Sequence, residues 1–261
     1  MTGDPSTLAL LILAFLASGL TLFSSFGLGT MLLPAFLIFF PPELAIAMTA
    51  IVHFLNNIFK LFLLGRNADL GIVVRFGLPA IIAAFAGAGV LMVVSHAPSL
   101  ASYELFGKAF QIVPVKVIVA ILMIGFATME VLPSMQRMGF DRKYLPLGGL
   151  LSGFFGGLSG HQGALRSAFL VRAGLSREVF IATGVVIACL IDVTRLSVYA
   201  EHFASTGLQQ NASLIVATTL SAFTGAFVGN KLVRKVTMRG IQRIVSFFLL
   251  VIALALGSGL I

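Results

Sequence analysis

The stretch PSTLALLILAFLASGLTLFSSFGLGTMLLPAFLIFFPP, residues 5–42, runs 38 residues without a charged side chain. As one straight helix it would be about 57 Å long at 1.5 Å per residue. The hydrocarbon core of a bilayer is only about 30 Å thick, so one span cannot use it all. The stretch marks its own break at Gly27-Leu28-Gly29, with Pro34 shortly after. The reading is a full helix from about Thr7 to Phe26, then a short one from Thr30 to Phe40.

Composition supports a membrane setting. Of 261 residues, 59% are hydrophobic and 10% charged, with 24 Phe and no Trp; the mean hydropathy is +1.07. Soluble domains carry roughly a quarter charged residues, so this chain lacks the polar residues to cover a water-facing surface. A soluble enzyme, a secreted disulfide scaffold and a disordered protein are excluded. Cys189 is the single cysteine, so no internal disulfide forms, and its apolar surroundings suit a buried small hydrophobe. Asp4 precedes the first apolar run and no Lys or Arg does. That lacks the basic start of a signal peptide, so the first helix is expected to be retained.

Further helices are expected at 43–64, 72–94 and 113–132. A polar linker follows, and the pattern restarts near Leu145, breaks at Gly160-His161-Gln162-Gly163 and continues to Ala173. Helices at about 177–199, 212–232 and 240–260 complete the chain. The expected fold is an all-α integral membrane protein with eight long transmembrane helices and two short broken ones. The restart is a repeat: Ser18, Gly19, Ser25, Gly29 and Thr49 match Ser152, Gly153, Ser159, Gly163 and Thr183 at a constant offset of 134. Ala84-Phe85, Gly87-Ala88 and Val90 match Ala222-Phe223, Gly225-Ala226 and Val228. The halves are residues 1–132 and 145–261, joined by a cytoplasmic linker at 133–144. Glycines such as Gly225 and Gly229 are expected at close helix contacts.

Charge placement decides the topology. The chain has 17 Lys+Arg against 9 Asp+Glu, a net +8. If the chain starts outside and each broken segment crosses once, the loops holding Arg66, Arg75, Arg137, Arg142 and Lys143 lie outside, against the positive-inside rule. If each short piece turns back, each half makes five passes. Arg66, Arg75, Arg137, Arg142, Lys143, Arg172, Arg177, Lys231, Arg234, Lys235, Arg239 and Arg243 then all face the cytoplasm. Lys108 remains outside, with Lys116 and Arg195 near outer helix ends. An odd number of passes makes the halves inverted, the arrangement of many secondary transporters, with the site at the breaks. The expectation is a multi-pass inner-membrane protein with both termini outside.

Two stretches carry a family resemblance. One is Gly27-Leu-Gly-Thr-Met-Leu-Leu-Pro34 with Pro42-Glu-Leu-Ala-Ile-Ala-Met-Thr49. The other is Gly149-Leu-Leu-Ser-Gly-Phe-Phe-Gly-Gly-Leu-Ser-Gly160 with Ala182-Thr183. In both halves a Gly-rich break, a short apolar piece and an Ala/Thr-bearing helix opening resemble the sulfite exporter TauE/SafE (TSUP) family, over essentially the whole chain. The resemblance implies a transporter, commonly an exporter, of small sulfur-containing anions such as sulfite or organosulfonates.

Arg166, in the first turn after the second break, is the main candidate for binding an anion. An intramembrane Arg is costly unless paired or hydrated, and its planar guanidinium suits an oxyanion. The alternative is snorkelling to the cytoplasmic interface. His161 and Gln162 lie in the break, where donors can face a cavity; His161 is also a candidate proton carrier. Ser159 and its counterpart Ser25, with Ser24 and Thr30, offer neutral donors from both halves, although Ser and Thr in such helices more often bond backbone. Thr49 and Thr183 open the following helices at equivalent places. His53, Asn56, Asn57 and Lys60 recur at spacings of three and four on one helix face. They line a cavity or knit helices together; Asn56 and Asn57 are taken as substrate contacts and His53 as a coupling group. Asp192 and Arg195 read as a structural ion pair, with Asp192 also a candidate for coupling.

Two other functions compete. Gly157-Leu-Ser159-Gly160 spells the GxSG of rhomboid-type proteases, but its serine needs a His base and only His202 follows downstream. An anion channel is the other. No Walker motif, Cys/His cluster or carboxylate-rich metal set occurs in the sequence, so no cofactor is expected. The expected partners are a small anion and the lipid bilayer, not nucleic acid; a homodimer is left open.

Overall fold

Proline opens helices at Pro42 and Pro114 and glycine closes one at Gly160, while Pro34 and Pro79 lie inside helices. The computed structural model describes residues 5–20, 28–64, 67–132, 139–203, 207–232 and 238–261. The described residues form ten α-helices. In chain order these are α1 (Pro5–Leu20), α2 (Leu28–Phe39), α3 (Pro42–Leu64), α4 (Leu70–Ser95), α5 (Pro114–Val131), α6 (Leu145–Ser159), α7 (Gly163–Leu170), α8 (Arg177–Phe203), α9 (Ala212–Leu232) and α10 (Met238–Gly257). The expected boundaries hold to within a few residues; positions 21–26 of the first expected helix lie outside the described residues.

The expectation of eight long spans holds only in part. Among the described residues four helices are long and apolar enough to cross a membrane: Leu44–Phe62, Leu70–Ser95, Arg177–Ala200 and Leu208–Gly229. Ser6–Gly19, Leu28–Phe39, Pro114–Met129 and Ser246–Gly257 are shorter apolar helices. The 15 residues of α6 reach only about 22 Å. Its end is set by Gly160, which at φ +80° adopts the left-handed conformation that closes helices.

The fold is also not purely helical. Between α4 and α5, β1 (Ala101–Leu105) pairs antiparallel with β2 (Lys108–Ile112). Phe106 and Gly107 turn the hairpin with φ of +51° and +72°, the paired positive values of a type I′ turn. The hairpin and the start of α5 hold residues 258–261: the Tyr103 hydroxyl donates to the Ser258 carbonyl (2.8 Å), and Lys116 Nζ on α5 donates to the Ile261 carbonyl (2.9 Å).

Two helix pairs pack backbone to backbone. On α6, a Cβ at Gly149, Gly153 or Gly157 would lie 2.2, 2.1 or 2.2 Å from the carbonyl oxygens of Phe76, Ala80 and Ala84 on α4. On α9, a Cβ at Gly225 or Gly229 would lie 2.0 or 2.5 Å from the carbonyls of Phe15 and Gly19 on α1. Only glycine permits this approach, as expected for Gly225 and Gly229. Further pairs are α5 with α10, α3 with α8, α4 with α8, and α3 with α9. The short helices lie inside: α2 packs on α1 and α3, and α7 on α6 and α8. One apolar cluster includes Leu32, Phe36, Met48 and Met123; a second joins Phe76, Leu145, Phe169 and Ile191. Large apolar side chains such as Ile82, Val93 and Leu254 are exposed. That is an exterior suited to lipid rather than water.

Candidate functional site

The two breaks meet. A Cβ on Gly29, in the first turn of α2, would lie 3.5 Å from the Gly160 carbonyl oxygen and 3.5 Å from His53 Cδ2. At the second break the Gly160 N–H bonds Gly156 O, closing α6, and the Gln162 N–H bonds Gly160 O. Ser152 Oγ donates to the Gln162 carbonyl (3.1 Å). The chain thus reverses between α6 and α7 with its polar groups held by the protein.

Asp192, fully buried on α8, is the centre of a polar cluster. His53 Nδ1 lies 2.7 Å from its Oδ2, and Asn57 Nδ2 donates to the same oxygen (2.9 Å). An ionised carboxylate accepts, so the His53 proton sits on Nδ1. Arg195 Nη2 lies 2.9 Å from Oδ1. Gln162 Nε2 makes a longer contact to that oxygen (3.4 Å), while Gln162 Oε1 accepts from Arg166 Nη1 (3.1 Å). A relay therefore runs Arg166–Gln162–Asp192–Arg195, with His53 and Asn57 closing the carboxylate from α3. Arg166 rests against α8, where a Cβ on Gly184 would meet its Nε at 3.3 Å. Lys60 is buried on α3, within electrostatic reach of Arg166.

The expected residues that are described take these places. His53, Asn57, Gln162, Arg166 and Asp192 come together. Asn56, one residue from Asn57, points to α1 instead and accepts from Ser18 Oγ (3.0 Å). Thr49 spends its proton on Ala45 O (2.7 Å) in its own helix. The Thr183 hydroxyl accepts from the Asp69 N–H (2.9 Å), fastening the α3–α4 loop to α8. Thr30 is buried in the first turn of α2. Ser24 and Ser25 lie outside the described residues. His161 is buried, stacked on Phe126 at 5.7 Å, with Nδ1 2.9 Å from Ser159 Oγ. Ser159 Oγ donates to Phe155 O (3.2 Å), so the Ser159–His161 contact does not have a base taking the serine's proton.

Arg195 is the ion partner of Asp192 that its spacing predicts, and it lies deeper in the protein than a place near a helix end suggests. Counted from charge placement near an outer helix end, it sits inside α8, which continues to Phe203, and it has no exposed surface. The apolar run falters at Glu201-His202, but the helical hydrogen bonding goes on. The i, i+3 spacing to Asp192 reads as an ion pair, but two opposite charges inside an apolar helix also mark a functional position by default.

Among curated proteins none matches this sequence. The family model for the sulfite exporter TauE/SafE matches residues 10–256. That match takes in both breaks, the Asp192 cluster and the glycine-packed helix pairs. The chain belongs to the sulfite exporter TauE/SafE family: it is a multi-pass membrane transporter of the sulfur-anion exporter type, and not an enzyme.

Proposed function

We propose that this chain exports a small sulfur-containing anion, such as sulfite or an organosulfonate, across the inner membrane by alternating access. The carrying observation is the charge balance where the breaks meet. Two guanidinium groups meet one described carboxylate, Asp192: fully buried Arg195 directly, and half-buried Arg166 through Gln162. Positive charge in excess of its counter-charge in a largely buried site is costly, and a bound anion relieves it. Arg166, Gln162 and His161 line the anion's place, with Ser159 and Thr30 beside them; His53 and Asp192 form the coupling pair.

The inverted arrangement draws support from how helices pair. Exchanging α1–α5 with α6–α10 in order turns the α4–α6 contact into α9–α1, and α4–α8 into α9–α3. The same exchange turns α2–α3 into α7–α8, and leaves α3–α8 and α5–α10 paired with themselves. Loop contacts argue for five passes per half. With eight crossings, Asp69 and Thr183 would stand on opposite sides, as would Arg142 and Ala173, and Tyr103 and Ser258. Yet Asp69 N–H bonds Thr183 Oγ1, Arg142 Nε donates to Ala173 O (2.7 Å), and Tyr103 bonds Ser258. With five passes every one of these pairs shares a side.

Two experiments follow. In a Cys189→Ala background, Asn67→Cys is expected to react with a membrane-impermeant thiol reagent only from the cytoplasmic side; labelling from outside rejects the topology. Purified protein in liposomes is expected to give saturable counterflow with sulfite or an organosulfonate, and none with an inert carboxylate. Linear, non-saturating flux would point to a channel instead.

A further inference from the structure

Arg195 has more hydrogen-bonding capacity than the protein uses. Its guanidinium is fully buried, and Nη2 faces Asp192. Nε and Nη1 have no hydrogen-bond partner among the described residues. Nη1 faces the second break, where a Cβ on Gly160 would approach it to 2.7 Å. The missing side chain at position 160 is therefore what leaves room beside Nη1. The next residue, His161, has the same deficit: its Nε2 is buried and without a partner among the described residues. Buried polar atoms left unmatched on adjoining groups cost free energy that a ligand can recover.

The two groups differ in kind. Ser159 gives its proton to Phe155 O, so at 2.9 Å from Ser159 Oγ the His161 Nδ1 is the donor. A neutral imidazole with its proton on Nδ1 presents a bare lone pair at Nε2. Arg195 thus offers N–H donors with positive charge, and His161 offers an acceptor. Phe126, stacked on the imidazole ring, holds that orientation.

We propose that Arg195 and His161 form the specificity subsite of this transporter, built for an oxyanion that still carries one acidic hydroxyl. Arg195 takes the charged oxygen; Nε2 of His161 accepts from the hydroxyl. Hydrogensulfite has both features, whereas a sulfonate of equal charge has no hydroxyl to give. The inference rests on the proposed anion export and specifies which groups read the anion. Asp192 positions Arg195, and Arg166, joined through Gln162, adds its charge to the same site.

The test uses full-length protein in liposomes at mildly acidic pH, with sulfite and methanesulfonate as probes. Wild-type protein is expected to prefer sulfite by tenfold or more in half-saturating concentration. Arg195→Lys keeps a cation beside Asp192 but loses Nη1, and is expected to raise that concentration at least tenfold for both probes. His161→Phe keeps the stack on Phe126 and loses the acceptor; the preference is expected to fall to about one. His161→Gln, which retains an acceptor, is expected to recover part of it. A second measurement needs no variant: sulfite is expected to raise the unfolding temperature of wild-type protein, at concentrations where methanesulfonate does not. An unchanged half-saturating concentration in Arg195→Lys, an unchanged preference in His161→Phe, or equal stabilisation by both probes overturns the proposal. Absence of any anion flux from wild-type protein is a different result, and rejects the export reading itself.

Discussion

Replacing Asp192 with Asn is expected to lower the stability of the purified protein by about 3–5 kcal/mol, the cost of stranding a buried charge by removing its partner. In a chain of this size that is on the order of 10 °C in unfolding temperature. The reason is local. Asp192 is the acceptor for His53 and Asn57 and the counter-charge of Arg195, all of them buried. An amide of the same shape keeps one oxygen, but turns an NH2 group toward neighbours that are themselves donors. Removing both charges in Asp192→Leu/Arg195→Leu is expected to restore most of the lost stability, because a buried pair is roughly as costly as well-packed apolar residues in its place. Transport is not expected to return in the double variant. Thermal unfolding in detergent, read beside liposome flux, separates the two effects. If the single variant were as stable as wild type, the guanidinium would have another partner and the cluster would not be built around Asp192.

That cluster shows where sequence reading succeeds and where it stops. Helix ends were legible because their causes are local: Gly160 needs a positive φ, and Pro42 and Pro114 open helices where a missing N–H costs nothing. The glycine faces were legible because close approach demands the same residue every fourth position. The polar face of α3 was legible as a face but not as contacts. Asn56 and Asn57 are neighbours in sequence, yet one helical step sends the first to Ser18 on α1 and the second to Asp192 on α8. Only the packing of three helices decides that. The hairpin at 101–112 was missed because five alternating residues on each side of Phe106-Gly107 are a weak signal amid apolar helices. The Asp192–Arg195 pair was legible from its i, i+3 spacing, but the complete burial of Arg195 comes from tertiary packing that spacing does not reveal.

The glycine faces yield the second large effect. Gly153→Val on α6 is expected to cost about 3 kcal/mol or more, since overpacking a tight contact forces backbone to move. The added Cβ would lie 2.1 Å from Ala80 O and 2.6 Å from Ala80 Cα. Both are main-chain atoms of α4, so no side chain can swing aside; the helices must part along the row from Gly149 to Gly157. Gly225→Val is expected to match it, because its Cβ would lie 2.0 Å from Phe15 O on α1. Gly89 supplies the contrast. It lies on α4, and nothing stands within 4 Å of its absent Cβ. There Gly→Ala is expected to stabilise by roughly 0.5–1 kcal/mol, through the lower conformational freedom of the unfolded chain. The opposite signs, read as unfolding temperatures of the three variants, test backbone contact against helix propensity. The equality of Gly153→Val and Gly225→Val tests more. These residues belong to α6 and α9, which are not counterparts, but the interfaces α4–α6 and α9–α1 become each other when the halves are exchanged. On the proposed inverted arrangement similar losses are expected at both; a large loss at one and none at the other would mean that the likeness of the pairing does not extend to its energetics.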